Sequence, residues 1–146
     1  MEKKTINLSI PINATKEKVW DVLLQDATYR QWVAVFMPGS YAETDWEQGS
    51  QVRFISPSGD GLLSKIIEHK PNEIISIQHL TNIKNGQEDW DSEEAKKWQG
   101  AREIYRVNAK NGVTNLEIEQ DIAEEYAEWC ADTWKKALNE IKIMAE

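Results

Sequence analysis

Two polar residues that lie within apolar strand patterns, His79 and Glu103, are the candidates for acid–base or hydrogen-bonding chemistry. His79 alternates in phase with Ile75 and Ile77, so an inward-facing strand would carry its imidazole into an apolar interior. There it could hold a polar ligand group or act as a base; the alternative is a partly buried histidine that bonds to a neighbour. Glu103 shares a strand face with Tyr105. Because Tyr105 suits the interior, we expect Glu103 at one rim as a polar contact.

The single cysteine, Cys130, lies in an apolar pattern between Trp129 and Trp134. A catalytic thiol needs a nearby base and partial exposure to ionise. The sequence indicates neither, so we interpret Cys130 as a small buried hydrophobic residue and assign no catalytic residue. We expect His69 to be exposed at a turn. Because the histidines have no cysteine or carboxylate at ligand spacing, we predict neither a metal site nor a cofactor.

The aromatic residues are the most informative set, since the chain carries seven tryptophans in 146 residues. So many large flat side chains exceed what a small core needs and indicate a roomy apolar interior. The alternative is a packed core without free volume. We predict one ligand cavity, with Glu103 as a polar contact, and its candidate lining residues are Trp32, Phe36, Phe54, His79, Trp98, Tyr105, Trp129, Cys130 and Trp134.

Alternating patterns with short turns predict the elements that position these residues. A strand over Thr5–Ile12 is followed by two short helices, one capped by Thr15 and one by Asp26. Short connections between the later strands favour an antiparallel meander. Those strands are predicted at 40–46, 51–55, 61–70, 73–80, 102–108 and 114–121.

Segment 82–100 interrupts this series of strands joined by short turns, and it is longer and more polar than the other connections. Asp91 and Glu94 have the spacing of a capping box, which predicts a short helix toward Trp98. A long connection of this kind is either a functional flap over a binding site or a solvent-exposed loop without a role in binding.

The last stretch, Ala123–Glu146, is predicted to form one long amphipathic helix because its apolar residues recur in steps of three and four. The order of elements is strand, two short helices, six strands and a long helix, which predicts one α+β domain over residues 1–146. A curved antiparallel sheet would wrap around the helix and leave a cavity between them. The predicted apolar face consists of Tyr126, Trp129, Cys130, Thr133, Trp134, Ala137, Leu138, Ile141, Met144 and Ala145.

The charge balance excludes some classes of partner. The chain has 17 basic and 25 acidic residues and a formal net charge of −8. This argues against nucleic-acid binding, which needs a basic footprint, and against docking on an anionic membrane. The sequence shows no apolar signal core and no stretch long enough to span a bilayer. Together with the single cysteine, this predicts a cytoplasmic protein.

The segment Pro11–Leu23 (PINATKEKVWDVL) resembles the opening signature of START-like (SRPBCC) domains, which share the helix-grip fold of the birch-pollen allergen. Within that superfamily, Trp32, Gly49–Phe54 (GSQVRF), Glu68–Glu73 (EHKPNE) and Trp134–Leu138 (WKKAL) resemble the branch of activator of heat-shock-protein-90 ATPase homologues. The resemblance covers essentially the whole chain. It implies a helix-grip fold with a cavity between the sheet and the C-terminal helix.

Three functions follow from these patterns. The leading hypothesis is a non-enzymatic module that binds a small hydrophobic ligand, lipid-like or aromatic, under the C-terminal helix. A second is a polyketide-cyclase-like enzyme in which His79 or Glu103 handles protons. The third, implied by the resemblance, is a protein-interaction domain that co-regulates a chaperone ATPase through its outer surface. The sequence leaves the oligomeric state open.

Overall fold

The computed structural model describes residues 3–146. Its strands are β1 Lys3–Ile12, β2 Tyr41–Glu43, β3 Gln51–Ile55, β4 Gly61–Lys70, β5 Ile74–Lys84, β6 Gln87–Asp89, β7 Arg102–Lys110 and β8 Val113–Ala123. Its α-helices are α1 Lys16–Leu24, α2 Asp26–Val33, α3 Glu93–Trp98 and α4 Ala127–Ala145, and a 3₁₀ turn at Glu124–Tyr126 precedes α4.

The strands form one antiparallel sheet in the order β1-β8-β7-β5-β4-β3-β2, with the short β6 paired to β5. The sheet is curved, and α1, α2 and α4 pack together on it. The predicted α+β class and the predicted helix-grip architecture are therefore confirmed. In the described part of the chain, no helix is long and apolar enough to cross a membrane.

Segment 82–100 contains the predicted short helix toward Trp98, which is α3, but its first half was predicted as part of a loop and is instead a hairpin. Strand β5 continues to Lys84, turns at Asn85-Gly86 and returns as β6. Asn85 and Gly86 have φ angles of 52° and 79°. A two-residue hairpin turn needs positive φ at both central positions, which asparagine and glycine adopt readily. The first half of the segment is therefore a hairpin that lengthens the sheet.

Thr15 caps α1 as predicted, and its hydroxyl accepts the Lys18 amide N–H. The other two predicted caps differ by one residue from the observed ones. Ser92, rather than Asp91, caps α3, because its hydroxyl accepts the Ala95 amide N–H at 3.1 Å. Asp89 in turn accepts the Ser92 hydroxyl proton at 2.6 Å, and this hydrogen bond is the main cause that lowers the Asp89 pKa below its usual value. Asp26 is the first residue of α2 rather than its cap.

Helix α4 begins at Ala127 rather than Ala123, because β8 continues to Ala123. Its buried stripe faces β1, α1 and α2. Tyr126 and Trp129 were predicted on that stripe, but their side chains are 43% and 57% exposed. Both lie to the side of the stripe, which is centred on Cys130, Thr133, Trp134, Ala137, Leu138, Ile141 and Ala145.

His69 is half-buried and hydrogen-bonded in β4, so its prediction as an exposed turn residue is wrong. The Trp20 indole N–H donates to His69 Nε2 at 3.1 Å, and His69 Nδ1 lies 2.6 Å from the Trp46 carbonyl oxygen. An indole N–H can only donate, so Nε2 accepts and the imidazole proton is on Nδ1. This histidine therefore ties α1 to the segment that carries Trp46.

Candidate functional site

A cavity of about 210 Å³ lies between the sheet, α2 and the first half of α4. Strands β2, β3, β4, β5, β7 and β8 and the segments before β2 and β4 also contribute to its wall. Most of the wall is apolar, and its largest side chains are Tyr29, Trp32, Phe36, Phe54, Tyr105 and Trp134. An apolar cavity with a few converging polar groups has the general form of a small-molecule site.

Trp134 is the centre of the aromatic wall. Its ring centroid lies 5.6 Å from that of Trp32, 5.0 Å from Phe36 and 5.9 Å from Tyr105, the last two with edge-to-face geometry. The indole N–H donates to Gln120 Oε1 on β8, which fixes the orientation of the ring. Contacts of this kind between helix and sheet hold the aromatic wall in place.

His79 is the most deeply buried polar residue on the cavity wall, with 1% of its surface exposed. A register shift in the β4–β5 pairing leaves Leu80 without an opposite residue and places Ser64 across from His79. His79 Nδ1 consequently lies 2.7 Å from Ser64 Oγ. The backbone of His79 is also tied to segment 100–101, since its N–H donates to Ala101 and its carbonyl accepts from Gly100.

The other ring nitrogen of His79, Nε2, has no hydrogen-bond partner among residues 3–146 although it is buried. Leaving a polar atom in this state costs free energy, and native proteins seldom do so without a reason. Nε2 lies 3.8 Å from Glu103 Oε1, which also lines the cavity. That distance is too long for a direct hydrogen bond.

Glu103 and Tyr105 form the second half of this polar cluster. The Tyr105 hydroxyl donates a hydrogen bond to Glu103 Oε2. Burial, and then the charge of Glu103, raise the Tyr105 pKa well above its usual value, so the phenol keeps its proton. The two hydrogen bonds leave Glu103 Oε1 and His79 Nε2 as the two facing polar atoms. Such a pair can exchange hydrogen bonds, or a proton, with one ligand atom placed between them.

The structure places several of the predicted site residues on one cavity wall, and their role in ligand binding stays a prediction. These are Trp32, Phe36, Phe54, His79, Glu103, Tyr105 and Trp134. Trp129 does not line the cavity, because it faces outward from α4 and contacts the ring of Phe36 at 6.3 Å. Trp98 lies behind the cavity, 6.0 Å from the ring of His79, and borders a separate surface depression.

Cys130 also lies outside the cavity wall. It points from α4 into the packed core, where the stripe of the helix is continuous. Burial, helped by the charge of Glu103, raises the pKa of its thiol to about 12. The interpretation of Cys130 as a small buried hydrophobic residue fits this environment.

We expect Cys130 in the native protein to react with a thiol reagent such as DTNB at least about a hundredfold more slowly than in the urea-unfolded protein at pH 8. The reason is that the thiolate is the reactive form, and a pKa near 12 keeps the thiol protonated at this pH. Stopped-flow absorbance would measure both rates, with the unfolded chain as the internal control. Equal rates would show that Cys130 is neither buried nor suppressed as described.

Sequence reasoning missed much of the cavity lining, including Tyr29, Gly61 and Gln120, and also Ser64, which contacts His79 from behind the wall. A signal was available for the two polar ones. Ser64 lies on the same strand face as Leu62 and Ile66, and Gln120 on the same face as Ile118, so each is a polar residue at an apolar strand position.

Among residues 3–146, no group of three or more His, Cys, Asp or Glu side chains is placed to hold a metal ion.

Three solved structures resemble this chain over nearly its whole length. The Aha1 dimer of Colwellia psychrerythraea aligns with a TM-score of 0.71 and 18% identity, covering 98% of this chain and 96% of that one. Protein MLL2253 of Mesorhizobium loti aligns with a TM-score of 0.75 and 14% identity, covering 97% of this chain and 96% of that one. ChR145 of Cytophaga hutchinsonii aligns with a TM-score of 0.69 and 20% identity, covering 97% of this chain and 94% of that one. At these identities the likeness shows the fold, which is START-like.

No curated protein matches the chain. The family described as Activator of Hsp90 ATPase homolog 1-like protein matches residues 13–146, which include α1, the whole cavity wall and α4. Because this match takes in nearly the entire sequence, the chain belongs to the Activator of Hsp90 ATPase homolog 1-like family.

Proposed function

We propose that this protein is a non-enzymatic binding module that holds a small, largely apolar ligand in the cavity between the sheet, α2 and α4. The observation that carries the proposal is the buried Nε2 of His79, a residue of the aromatic-walled cavity, which has no hydrogen-bond partner in the described chain and lies 3.8 Å from Glu103 Oε1 of the same wall. Native proteins seldom leave a buried polar atom in this state without a reason. A bound ligand would supply the missing partner.

Two further features argue against catalysis through a covalent intermediate. First, Ser64, the hydroxyl nearest to His79, contacts Nδ1 from a fully buried position and does not line the cavity, so it is not placed to attack a ligand. Second, the thiol of Cys130 is outside the cavity and held protonated by burial. The polar cluster therefore offers hydrogen bonds to a ligand but no activated protein nucleophile.

The proposal predicts that naphthalene, used as an apolar probe, binds with one-to-one stoichiometry in isothermal titration calorimetry. Val33 lines the cavity from α2, and a Val33→Phe variant would fill part of it with an added ring. We expect this variant to bind naphthalene at least about tenfold more weakly. The matched control is Ile143→Phe, which enlarges a side chain that is 61% exposed on α4 and should leave binding unchanged.

Circular dichroism melts of both variants would verify that each is folded. If naphthalene fails to bind the wild-type protein, the cavity is not a site for apolar ligands and the proposal falls. If it binds both variants equally, binding takes place elsewhere on the protein, and the proposal falls as well.

A further inference from the structure

We infer that the ligand of this cavity is an aromatic compound with a free hydroxyl group, and that carboxylic acids are excluded from it. The inference rests on the proposed function and specifies the chemistry of the ligand's polar end. The hydroxyl would lie between His79 Nε2 and Glu103 Oε1. Those two atoms are 3.8 Å apart, and an oxygen about 2.8 Å from each completes a triangle with two ordinary hydrogen bonds.

The protons available in the cluster select a hydroxyl. The Tyr105 hydroxyl uses its only O–H in the hydrogen bond to Glu103 Oε2, so Oε1 is left as an acceptor that needs a donor. A ligand hydroxyl can donate a hydrogen bond to Oε1, and its oxygen can then accept a hydrogen bond from Nε2–H. The remaining nitrogen, Nδ1, accepts from the Ser64 hydroxyl, whose partner in the described chain is this ring. Every buried side-chain polar atom of this cluster is then paired.

A ligand carbonyl would satisfy only half of this arrangement. It could accept from Nε2–H, but it would turn its lone pairs toward Glu103 Oε1 and offer no proton. A carboxylate would do worse, because it would place a second negative charge beside Glu103. A hydroxyl is the simplest group that donates and accepts through one oxygen.

The charges around the cavity point the same way. The carboxylate of Glu103 belongs to its wall, whereas the described wall contains no lysine or arginine. A ligand carboxylate would find a like charge and no cation to balance it. The cavity therefore selects against acids, including fatty acids, even though its wall is apolar.

The wall also indicates the rest of the ligand. The ring of Trp134 lies at 33° to that of Trp32 and at 72° to that of Phe36, so the wall combines tilted and edge-to-face rings. Aromatic pairs of this type add attraction beyond simple burial. An apolar cavity of about 150 Å³ accommodates benzene, so about 210 Å³ suits one ring or a fused pair.

The test compares three probes that share one ring system: naphthalene, 2-naphthol and 2-naphthoate, each titrated into the full chain by calorimetry at pH 7. We expect 2-naphthol to bind about ten- to a hundredfold more tightly than naphthalene, because it gains hydrogen bonds to a charged partner. We expect 2-naphthoate to bind at least about tenfold more weakly than naphthalene.

A Glu103→Gln variant then tests the role of the carboxylate. The preference for 2-naphthol over naphthalene should fall severalfold, and the discrimination against 2-naphthoate should shrink, since a neutral amide does not repel an acid. Naphthalene binding by the same variant shows that the cavity is folded. The control is Glu117→Gln, an exposed glutamate on β8 outside the cavity, which should keep the wild-type order of affinities.

Failure of the inference is distinguishable from failure of the proposed function. If naphthalene binds and 2-naphthol binds no more tightly, or if 2-naphthoate binds best, the hydroxyl assignment is overturned while the cavity remains a binding site. If none of the three probes binds, both the inference and the proposed function are overturned.

Discussion

Replacing Trp134 by alanine is expected to lower the free energy of unfolding by about 3–5 kcal/mol, which is the range for deleting a large buried aromatic side chain. Trp134 is 2% exposed and contacts Trp32, Phe36 and Tyr105. Its removal leaves a void that the surrounding rings fill only in part. It also leaves Gln120 Oε1 without the hydrogen bond that the indole N–H donates to it.

The matched control is Trp129→Ala, five positions earlier on the same helix. Trp129 is 57% exposed and meets the edge of Phe36, so its loss should change the unfolding free energy by less than about 1 kcal/mol. Urea unfolding followed by circular dichroism measures both variants, and equal m-values would show that the unfolding transitions are comparable.

A Trp134→Phe variant separates packing from hydrogen bonding, because it keeps a ring but loses the N–H donor. We expect it to cost about 1–3 kcal/mol, less than the alanine variant. If Trp129→Ala were as destabilising as Trp134→Ala, the described orientation of α4 on the sheet would be incorrect.

The contrast between these two tryptophans shows what helical periodicity can and cannot predict. The steps of three and four correctly placed Cys130, Trp134 and Ile141 on the buried stripe. Trp129 and Cys130 are adjacent, and neighbours on a helix point about 100° apart, so both cannot face the centre of a narrow stripe. The sequence does not say which of the two is central, because that depends on the width of the surface the helix covers.

Strand alternation was enough to place His79 and Tyr105 on inward positions, but not to reveal what they contact. The Ser64–His79 pair depends on a register shift at Leu80, and the sequence of either strand alone carries no mark of it. The pairing of Glu103 with Tyr105 was implicit in their shared strand face. The meeting of that pair with His79 depends on β5 and β7 being neighbours, which strand patterns leave undetermined.

The hairpin at Asn85-Gly86 is a different case, because its signal was present in the sequence. An Asn-Gly pair between extended segments is a strong indication of a two-residue turn. The acidic residues that follow it obscured the short strand Gln87–Asp89. Local turn chemistry was therefore the better guide here than the overall polarity of the segment.

Replacing Gly61 by alanine is the other change with a large expected effect, and its reason is steric. Gly61 begins β4 and pairs with Ile55 of β3. A Cβ atom at this position would lie 1.7 Å from the carbonyl oxygen of Phe54 and 2.8 Å from its carbonyl carbon. Backbone atoms of a paired strand cannot rotate away as a side chain can, so the β3–β4 pairing has to shift. Both Gly61 and Phe54 line the cavity, so the shift would also deform the proposed binding site.

We expect Gly61→Ala to lower the free energy of unfolding by about 3 kcal/mol or more, at the upper end for forced overpacking. The control is Gly112→Ala in the β7–β8 turn, where an added Cβ meets nothing within 4 Å but φ is +79°. There the cost is backbone strain alone, about 1–2 kcal/mol. Urea unfolding measures both, and naphthalene binding by each variant reports the state of the cavity. If Gly61→Ala proves no more destabilising than Gly112→Ala, then β3 and β4 do not approach each other as closely as described, and the cavity wall they form is different.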